Sequence, residues 1–528
     1  MLFFKKKAPV SNVYVWVTTA VILGLKSLWI FLMPMRGLAT TTWLIDDSFI
    51  EMKVAENLGH GLGFSLDGIH ATTGAPFFWI YLSSLNHIFF GPDLAIRMTF
   101  FETAVLGALA AIFVFHIALK LTEDRRIAWT AFLLSSLTMN AFQNALNGMD
   151  TALFTFLVIL SVACYLGVGK PKKWTGFQWG CVTGLVLGLT LMTRGDGIFI
   201  AFALGCTKLY EIYRAPLWEK KEHMRTLAGI VLVSAVCFAF FMTWQLLQTG
   251  SPLPGNQVGR RGLSLAWHNF SYDNFSLPQY LKIVVWNIFQ LDELITIATG
   301  GSMLMLAGLV SGVLQRKLRV LGVFTVIYLG IFFALLVGYQ WYFANLHGLR
   351  YINPGVHLLF IFVAALVWQL PVQRWKAPAA VFLTTALIVL SGYKHYQMTS
   401  RLPWAPYMSY VGTPNPEKSE IFWGTIDWIR DNLPPDTIVG VRDYGRISMF
   451  GDVIIQDLAG NIDPKVAEAL NDGTLKDYLE ELNVTYLYIP SLEMRTDVLY
   501  QYLHKNLRLE QVKAAPVAPT QILYKIIR

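Results

Sequence analysis

The strongest chemical signal in the sequence is a pair of adjacent carboxylates, Asp46 and Asp47, in the segment IDDSF. Neighbouring carboxylates repel each other and are costly to desolvate, so such a pair normally has a partner. The pair could bind a divalent cation, or one member could act as a general base while the other orients it. The structural alternative is a solvated loop or an N-cap for a helix that starts near Phe49, since aspartate is a good N-cap.

Several further polar residues occur in short segments between apolar runs. They are His60, Asp150, Arg194, Asp196, Arg260, Arg350 and Tyr351. Each has a plain alternative reading as a helix cap, a surface ion pair, a loop residue or an arginine that snorkels at a membrane edge. If they lie on one face of a membrane, they suit a lipid-borne phosphate: arginines would hold the phosphate and a carboxylate would deprotonate a nucleophile.

The elements that position these residues are predicted to be membrane-spanning helices. The chain has 528 residues, of which 55% are hydrophobic and only 14% are charged, whereas soluble proteins carry about 25% charged residues. The net charge of +8 does not indicate nucleic-acid binding, because the basic residues lie in short segments beside apolar runs. The cysteines lie inside apolar stretches without metal-ligand spacing, and we read them as structural.

About eleven apolar segments are long enough to cross a bilayer of roughly 30 Å. The first, from Val13, follows three lysines; it is too long for a signal peptide and no cleavage site follows it. The predicted spans are 13–33, 94–119, 127–143, 150–168, 175–193, 197–213, 226–247, 297–314, 319–338, 353–370 and 377–393.

Loop charge orients these spans. With the N-terminal lysines in the cytoplasm, alternation makes every predicted cytoplasmic loop rich in Lys and Arg, as the positive-inside rule requires. The same alternation places Asp46, Asp47, Asp150, Arg194, Asp196, Arg260 and Arg350 on the outer face. Residues 77–90 are apolar but short, and we predict an interfacial helix there.

The composition changes near residue 399, after which prolines mark a linker. Strands are predicted at 437–441, 453–458 and 484–489, with helices at 417–433, 464–473 and 474–483. The predicted architecture is an all-α polytopic membrane domain over 1–398, with a first outer loop at 34–93. A small extracytoplasmic α/β domain over 399–528 follows it.

The order of motifs along the chain resembles the GT-C superfamily of integral-membrane glycosyltransferases, which use polyprenyl-phosphate-linked sugars as donors. Within it, the likeness is to the bacterial branch that includes the actinobacterial terminal arabinofuranosyltransferases. The matching segments are DDSFIEMKVAENLGHGLGFS, TTGAPFFW, NGMDTALF, MTRGDG, GSPLPGN and LRYINP, together with WIRDNLPPD and IIQDLAGNIDPKVAEAL near the C-terminus.

The resemblance implies roles for individual residues. Asp46 is favoured as the catalytic base, with Asp47 as its helper or as a ligand of a divalent cation (Mg²⁺, Mn²⁺ or Ca²⁺), which some members of the superfamily need and others do not. Arg350 would contact the donor phosphate. The predicted donor site also includes Tyr351, Arg194, Asp196, Asp150, Arg260 and His60. This chain departs from the family pattern at Asp150, Gly195 and Leu349, where the family often has Glu, Pro and His.

The implied reaction is an inverting transfer of a sugar from a polyprenyl phosphate to a cell-envelope glycan, lipid or protein. It would take place on the extracytoplasmic face of a bacterial plasma membrane. A transporter or flippase of a lipid-linked sugar is the alternative, and a non-catalytic glycan-binding protein is a third. Transporters usually carry ionisable residues near mid-membrane and have paired halves, whereas these charges lie at one predicted surface.

Overall fold

The computed structural model describes most of the chain. The described residues are 10–40, 46–252, 301–339, 350, 352–369, 376–401, 416–442, 445–458, 460, 462–463, 465–489, 498–514 and 522–527.

The first part of the described chain is mostly helical, with turns and one isolated β-bridge (Ser65–Ala71) between helices. Its helices are α1 (Val10–Leu32), α2 (Met35–Thr40), α3 (Asp46–Gly59), α4 (Phe77–Phe89), α5 (Pro92–Thr122), α6 (Arg125–Leu137), α7 (Met139–Asn144), α8 (Asp150–Tyr165), α9 (Gly176–Thr193), α10 (Gly197–Arg214), α11 (Leu217–Thr249), α12 (Gly301–Leu314), α13 (Arg319–Tyr339), α14 (Asn353–Gln369) and α15 (Lys376–Arg401). Most predicted spans therefore match one helix with similar bounds.

The apolar helices are those of a multi-pass membrane protein. Among the described residues, α1, α5, α9 and α11 contain the four segments that are long and apolar enough to cross a bilayer. Shorter apolar helices or helix segments occur at Asp150–Tyr165, Leu304–Leu314, Arg319–Phe332, Asn353–Gln369 and Ala377–Ser391. The predicted total of about eleven spans stays a prediction.

The predicted span 127–143 is not one continuous helix. Helix α6 ends at Leu137, Thr138 has an extended backbone (φ −64°, ψ 146°), and the short helix α7 begins at Met139. The break redirects the chain so that Asn140 lies buried and donates to the Asn353 side chain at 2.9 Å. The predicted span is thus interrupted at Thr138, and the residues after the break form a polar contact with the start of α14.

Helices α9 and α11 pack closely along a row of glycines, which we call the glycine seam: Gly176, Gly180, Gly184 and Gly188 of α9. These glycines recur every four residues, so they lie on one helix face. A Cβ at Gly184 would lie 2.6 Å from the Ile230 carbonyl oxygen of α11. Small residues at this spacing let two helix backbones approach closely within a bilayer.

The C-terminal part of the described chain is an α/β unit, as predicted. Its elements are α16 (Pro416–Asn432), β1 (Ile438–Val441), α17 (Gly445–Phe450), β2 (Ile454–Asp457), α18 (Lys465–Asp472), α19 (Leu475–Glu481), β3 (Tyr486–Ile489), α20 (Val498–Asn506), β4 (Leu509–Ala514) and β5 (Ile522–Ile526). The sheet order is β2-β1-β3-β5-β4. Strand β1 is parallel to both neighbours, and β5 is antiparallel to β3 and β4.

The two parts share apolar packing. Phe49 of α3, Trp423 of α16 and Ile447 of α17 belong to one buried cluster that also includes residues of α5 and α8. Helix α15 extends to Arg401 and so continues past residue 398, where the sequence predicts the end of the membrane domain. The domain boundary stays a prediction. The fold thus holds α3 between the membrane helices and the α/β unit.

Candidate active site

Helix α3 brings two carboxyl groups to one face. Asp47 and Glu51 are four residues apart, so their side chains lie one above the other on the same side of the helix. The Asp47 side chain is 39% exposed, whereas Glu51 is buried. Asp46 begins the same helix, but its side chain lies outside the described part of the structure.

Arg350 lies three residues before the start of α14 and forms an ion pair with Asp47 of α3. Its Nη2 donates to Asp47 Oδ2 at 2.9 Å, and its side chain is only 6% exposed. The same guanidinium contacts the Met149 sulfur through Nη1 at 3.4 Å. A half-exposed carboxylate beside a buried guanidinium forms a pair that a ligand can reach from the Asp47 side.

The turn before α8 places Asp150 against Glu51. The Asp150 backbone N–H donates to Glu51 Oε2 at 3.0 Å, so Glu51 satisfies one of the donors that a helix start leaves unpaired. Gly148 precedes this contact with φ +67°, a left-handed conformation that favours glycine. A Cβ there would lie 2.5 Å from a carbon of the Phe100 ring, so the position also lacks space.

Arg194 joins α8 to the turn before α10. Its Nη2 donates to Asp196 Oδ2 at 3.0 Å, and its Nη1 lies 3.6 Å from Asp150 Oδ1. The guanidinium carbon also lies 5.4 Å from the centre of the Phe154 ring. Arg194 is therefore held by two carboxylates and an aromatic face; it pairs with the Asp150 side chain, whereas Glu51 accepts from the Asp150 backbone N–H.

We call this group the acid–arginine cluster: Asp47, Glu51, Asp150, Arg194, Asp196 and Arg350. Burial raises the pKa of the Glu51 carboxyl well above its usual range. The Asp150 carboxylate raises this pKa further, whereas the Asp150 N–H bond and Arg350 lower it. Burial favours the neutral form of a carboxyl group, so Glu51 holds its proton to a higher pH than an ordinary glutamate.

Buried amide side chains next to Arg350 form hydrogen bonds between the helices that surround the cluster. Asn353, at the first position of α14, donates to Thr155 Oγ1 at 2.9 Å and accepts from Asn140 at 2.9 Å. These buried amides tie α14 to α8 and α7 three residues beyond Arg350. A hydrogen-bonded network of this kind fixes where α14 begins, and with it the position of the Arg350 guanidinium.

The structure brings together most of the predicted site residues that it describes. Asp47, Asp150, Arg194, Asp196 and Arg350 meet, although they come from segments far apart in the sequence. His60 is exposed at the far end of α3, roughly 20 Å along the helix from Asp47 at 1.5 Å per residue, and has no described contact with the cluster. Tyr351 and Arg260 lie outside the described residues.

Glu51 was missed from the sequence, although a signal was available. In DDSFIEM the glutamate follows Asp47 by four residues, and this spacing places both on one face of a helix. Among the described residues, no group of three or more His, Cys, Asp or Glu side chains is arranged to hold a metal ion. A cation at Asp46 and Asp47 therefore stays a prediction.

Comparisons with known proteins match both parts of the chain. Residues 65–249 match the family model of dolichyl-phosphate-mannose-protein mannosyltransferases. Residues 416–522 match a domain family of unknown function. No curated protein matches the chain by sequence.

Solved structures with a similar fold cover nearly the whole chain. ArnT from Cupriavidus metallidurans has 14% identity and a TM-score of 0.58, with 98% of each chain covered. The same protein bound to undecaprenyl phosphate gives 13% identity and a TM-score of 0.57, again with 98% of each chain covered. The archaeal oligosaccharyltransferase AglB from Archaeoglobus fulgidus, in complex with an inhibitory peptide and a dolichol-phosphate, has 14% identity and a TM-score of 0.56. That match covers 94% of this chain and 71% of AglB.

At these identities the structural likeness establishes the fold. The mannosyltransferase family and both similar proteins are GT-C glycosyltransferases, so the resemblance to this superfamily that the motifs predicted is confirmed. The chain is a multi-pass membrane protein with the GT-C fold and a small C-terminal α/β unit.

Proposed function

We propose that the protein is an inverting glycosyltransferase that moves a sugar from a polyprenyl-phosphate donor to a cell-envelope glycan, lipid or protein. The observation that carries this proposal is the acid–arginine cluster, in which a half-exposed Asp47 pairs with a buried Arg350. Carboxylates and arginines gathered at one place are what the reaction needs, because it removes a proton and releases a phosphate. The lipid phosphates bound to ArnT and AglB support a donor of this class.

The proposed reaction is a single in-line displacement. An acceptor hydroxyl oxygen attacks the sugar C1 as the bond between C1 and the phosphate oxygen breaks, and the polyprenyl phosphate leaves with the electron pair. The hydroxyl proton passes to a carboxylate, for which we favour Asp46, with Asp47 orienting it. Because Arg350 carries several N–H donors in a planar fork, it can bind a donor phosphate oxygen while it stays near Asp47.

A divalent cation (Mg²⁺, Mn²⁺ or Ca²⁺) at Asp46 and Asp47 is part of the proposal. Oxygen ligands at the start of α3 suit a hard cation, and the acid–arginine cluster contains more carboxyl groups than guanidinium groups. A cation would offset this excess when an anionic donor arrives. Chelation by EDTA, followed by addition of each metal, tests this point directly. If EDTA leaves activity unchanged, the reaction does not need a divalent cation.

The proposed location is the bacterial plasma membrane, with the N-terminus in the cytoplasm and both the cluster and the α/β unit outside. Basic predicted cytoplasmic loops support this orientation. Labelling of single cysteines introduced at positions 71 and 170, both exposed, tests it. Reagents that do not cross membranes should reach position 71 from outside and position 170 only after the membrane is opened.

The experiment for the reaction uses purified protein and a panel of short-chain polyprenyl-phosphate pentoses and hexoses. Wild-type protein should release polyprenyl phosphate and transfer the sugar to an envelope acceptor extract, with inversion at C1. Asp46→Asn should abolish turnover while the protein stays folded in the membrane. Asp93→Asn is a matched control, because Asp93 is an exposed aspartate at the start of α5, and it should leave turnover unchanged.

Two results would contradict this proposal. Near-normal turnover of Asp46→Asn would show that Asp46 is not the catalytic base. Movement of the intact lipid-linked sugar across vesicles, without release of polyprenyl phosphate, would favour a flippase instead.

A further inference from the structure

The helix that carries Asp47 is packed on two opposite faces. Successive residues of an α-helix are about 100° apart, so Phe49 points away from the face that carries Asp47 and Glu51. The Phe49 side chain is fully buried, and its ring lies edge-on against Phe450 of α17 with the centroids 5.4 Å apart. One face of α3 therefore meets the acid–arginine cluster, and the other meets the C-terminal α/β unit.

Arg446 of α17 contacts the chain on both sides of the aspartate pair. Its Nε donates to the Ala39 carbonyl oxygen at 3.0 Å, and its guanidinium carbon lies 5.4 Å from the centre of the Phe49 ring. Ala39 precedes Asp46 and Asp47 in the chain, and Phe49 follows them. A single side chain of the α/β unit thus contacts one residue before the pair and one residue after it.

Two further contacts hold α17 within the α/β unit and join that unit to the predicted outer loop, residues 34–93. Phe450 packs against Trp423 of α16 with ring centroids 5.2 Å apart, and Trp423 is buried. Thr72, in the loop before α4, donates to the Ile462 carbonyl oxygen at 3.0 Å. The Phe450–Trp423 contact ties α17 to α16, and the Thr72–Ile462 bond joins the α/β unit to the outer loop at a second point besides Phe49, which restricts rotation of one against the other.

We propose that α17 is a positioning element for the catalytic helix, and that Arg446 is the residue through which the α/β unit fixes the aspartate pair against Arg350. This inference rests on the proposed function. The Asp47–Arg350 pair has a donor–acceptor distance of 2.9 Å, so a small shift of α3 would lengthen or break it. Displacements of about 1 Å can reduce turnover by roughly 100-fold.

The test compares substitutions at two interdomain arginines. Arg446→Ala removes both contacts, and Arg446→Lys keeps the charge but loses the planar guanidinium that donates to Ala39 and lies over Phe49. Arg36→Ala is the matched control, because Arg36 also bridges to the α/β unit through Asp427 at 2.7 Å but its side chain is 57% exposed. Turnover is measured with the panel donor that the wild-type protein uses fastest.

A positioning role predicts a split between the kinetic constants. Arg446→Ala should lower kcat about 10-fold to 100-fold and change the donor KM by less than about threefold, because Arg350 still binds phosphate. Arg446→Lys should recover part of kcat, and Arg36→Ala should stay within about twofold of the wild-type protein. A raised KM with unchanged kcat, or full activity of Arg446→Ala, would overturn the inference.

Hydrogen exchange gives a second readout that does not depend on any donor. The backbone amides of residues 46–59 should exchange faster in Arg446→Ala than in Arg36→Ala, while those of α5 stay protected. Unchanged exchange in α3 would overturn the inference even if activity falls. If Arg446→Ala does not fold, Phe450→Leu weakens the contact of α17 with Phe49 with a smaller loss of volume. The same exchange pattern in α3 is expected.

The two proposals fail in different ways. If the wild-type protein releases no polyprenyl phosphate from any donor, the proposed function fails, whereas faster exchange in α3 would still show the mechanical coupling. If the wild-type protein is active and Arg446→Ala matches it in both readouts, the coupling fails and the proposed function stands.

Discussion

The acid–arginine cluster and the glycine seam lie in the same molecule but are stabilised in opposite ways. The seam packs backbone against backbone, and a Cβ at Gly184 would already collide with the Ile230 carbonyl oxygen. The cluster depends on charged side chains from α3, from the start of α8, from the turn between α9 and α10 and from the segment just before α14, with Asp47 half-exposed beside Arg350. The difference indicates that the seam serves stability, whereas the cluster places one ionisable group, Asp47, where a ligand can reach it.

The largest effect is expected at Arg350, where a change should reduce activity and spare the fold. Arg350→Ala removes the guanidinium that pairs with Asp47, and the half-exposed Asp47 can then be solvated. We expect kcat/KM for the donor to fall at least about 100-fold, or roughly 2.7 kcal/mol, with little change in Tm. Arg350→Lys should recover only part of the loss, because lysine lacks the planar fork.

Steady-state kinetics with donor and acceptor varied separately decides this prediction. A loss that is equal for donor and acceptor would argue against a phosphate contact, and a large fall in Tm would show that Arg350 is mainly structural.

The glycine seam should respond in the reverse manner, with lost stability as the primary effect. Gly184→Ala places a methyl group 2.6 Å from the Ile230 carbonyl oxygen, and overpacking of this kind costs about 1–3 kcal/mol. Gly205→Ala in α10 is the matched control, because nothing lies within 4 Å of a Cβ there. Thermal melts in detergent should show a lower Tm for Gly184→Ala only; equal melts would mean that the seam relaxes without cost.

Glu51 sharpens the comparison, because it is buried like a seam residue and ionisable like a cluster residue. Its pKa is raised in the folded protein by burial and by Asp150, so the folded state binds the proton more tightly than the unfolded state. The free energy of unfolding should therefore fall as the pH rises from about 4.3 through the folded pKa. Glu51→Gln should remove this fall and leave activity within a few-fold of the wild-type protein at neutral pH.

Thermal melts across pH for the wild-type protein and Glu51→Gln check this prediction. A wild-type Tm that rises with pH over this window, relative to Glu51→Gln, would show that Glu51 is stabilised as a carboxylate instead.

The smallest effect is expected where the α/β unit meets solvent. The Arg36–Asp427 pair is short, at 2.7 Å, but the Arg36 side chain is 57% exposed, and exposed pairs contribute about 0–1 kcal/mol. Arg36→Ala should change the Tm by a few degrees at most. A larger fall would mean that this pair, rather than the contact of α17 with Phe49, holds the α/β unit in place.

Much of this arrangement could be predicted from the sequence, because its signals are local. Apolar runs predict the helix bounds, and the charge of the loops assigns Asp47, Asp150 and Arg350 to one face of the membrane. The break at Thr138 was missed because the residues around it remain apolar enough to look continuous. Strand β4 was missed because its segment LEQVKA is largely polar and lacks a clear alternation; residues 510–512 are exposed.

Contacts between distant segments could not be predicted in the same way. Nothing near Arg446 in the sequence indicates that its side chain lies over Phe49, because the partner belongs to the opposite end of the chain. The hydrogen bonds of Asn353 with Asn140 and Thr155 are similar, since polar residues within apolar runs do not reveal which neighbours they will meet. Such pairings depend on how the helices pack together.

The bond between Arg446 and Ala39 joins residues 407 positions apart, and this separation sets an order of events during biosynthesis. A ribosome that adds about 5–20 residues per second needs roughly 20–80 seconds to make the intervening chain. For nearly all of that interval the aspartate pair has already been synthesised, but Arg446 has not. A nascent chain therefore carries the aspartate pair before Arg446 can contact Ala39 and Phe49, and a chain that terminates before residue 446 lacks both contacts.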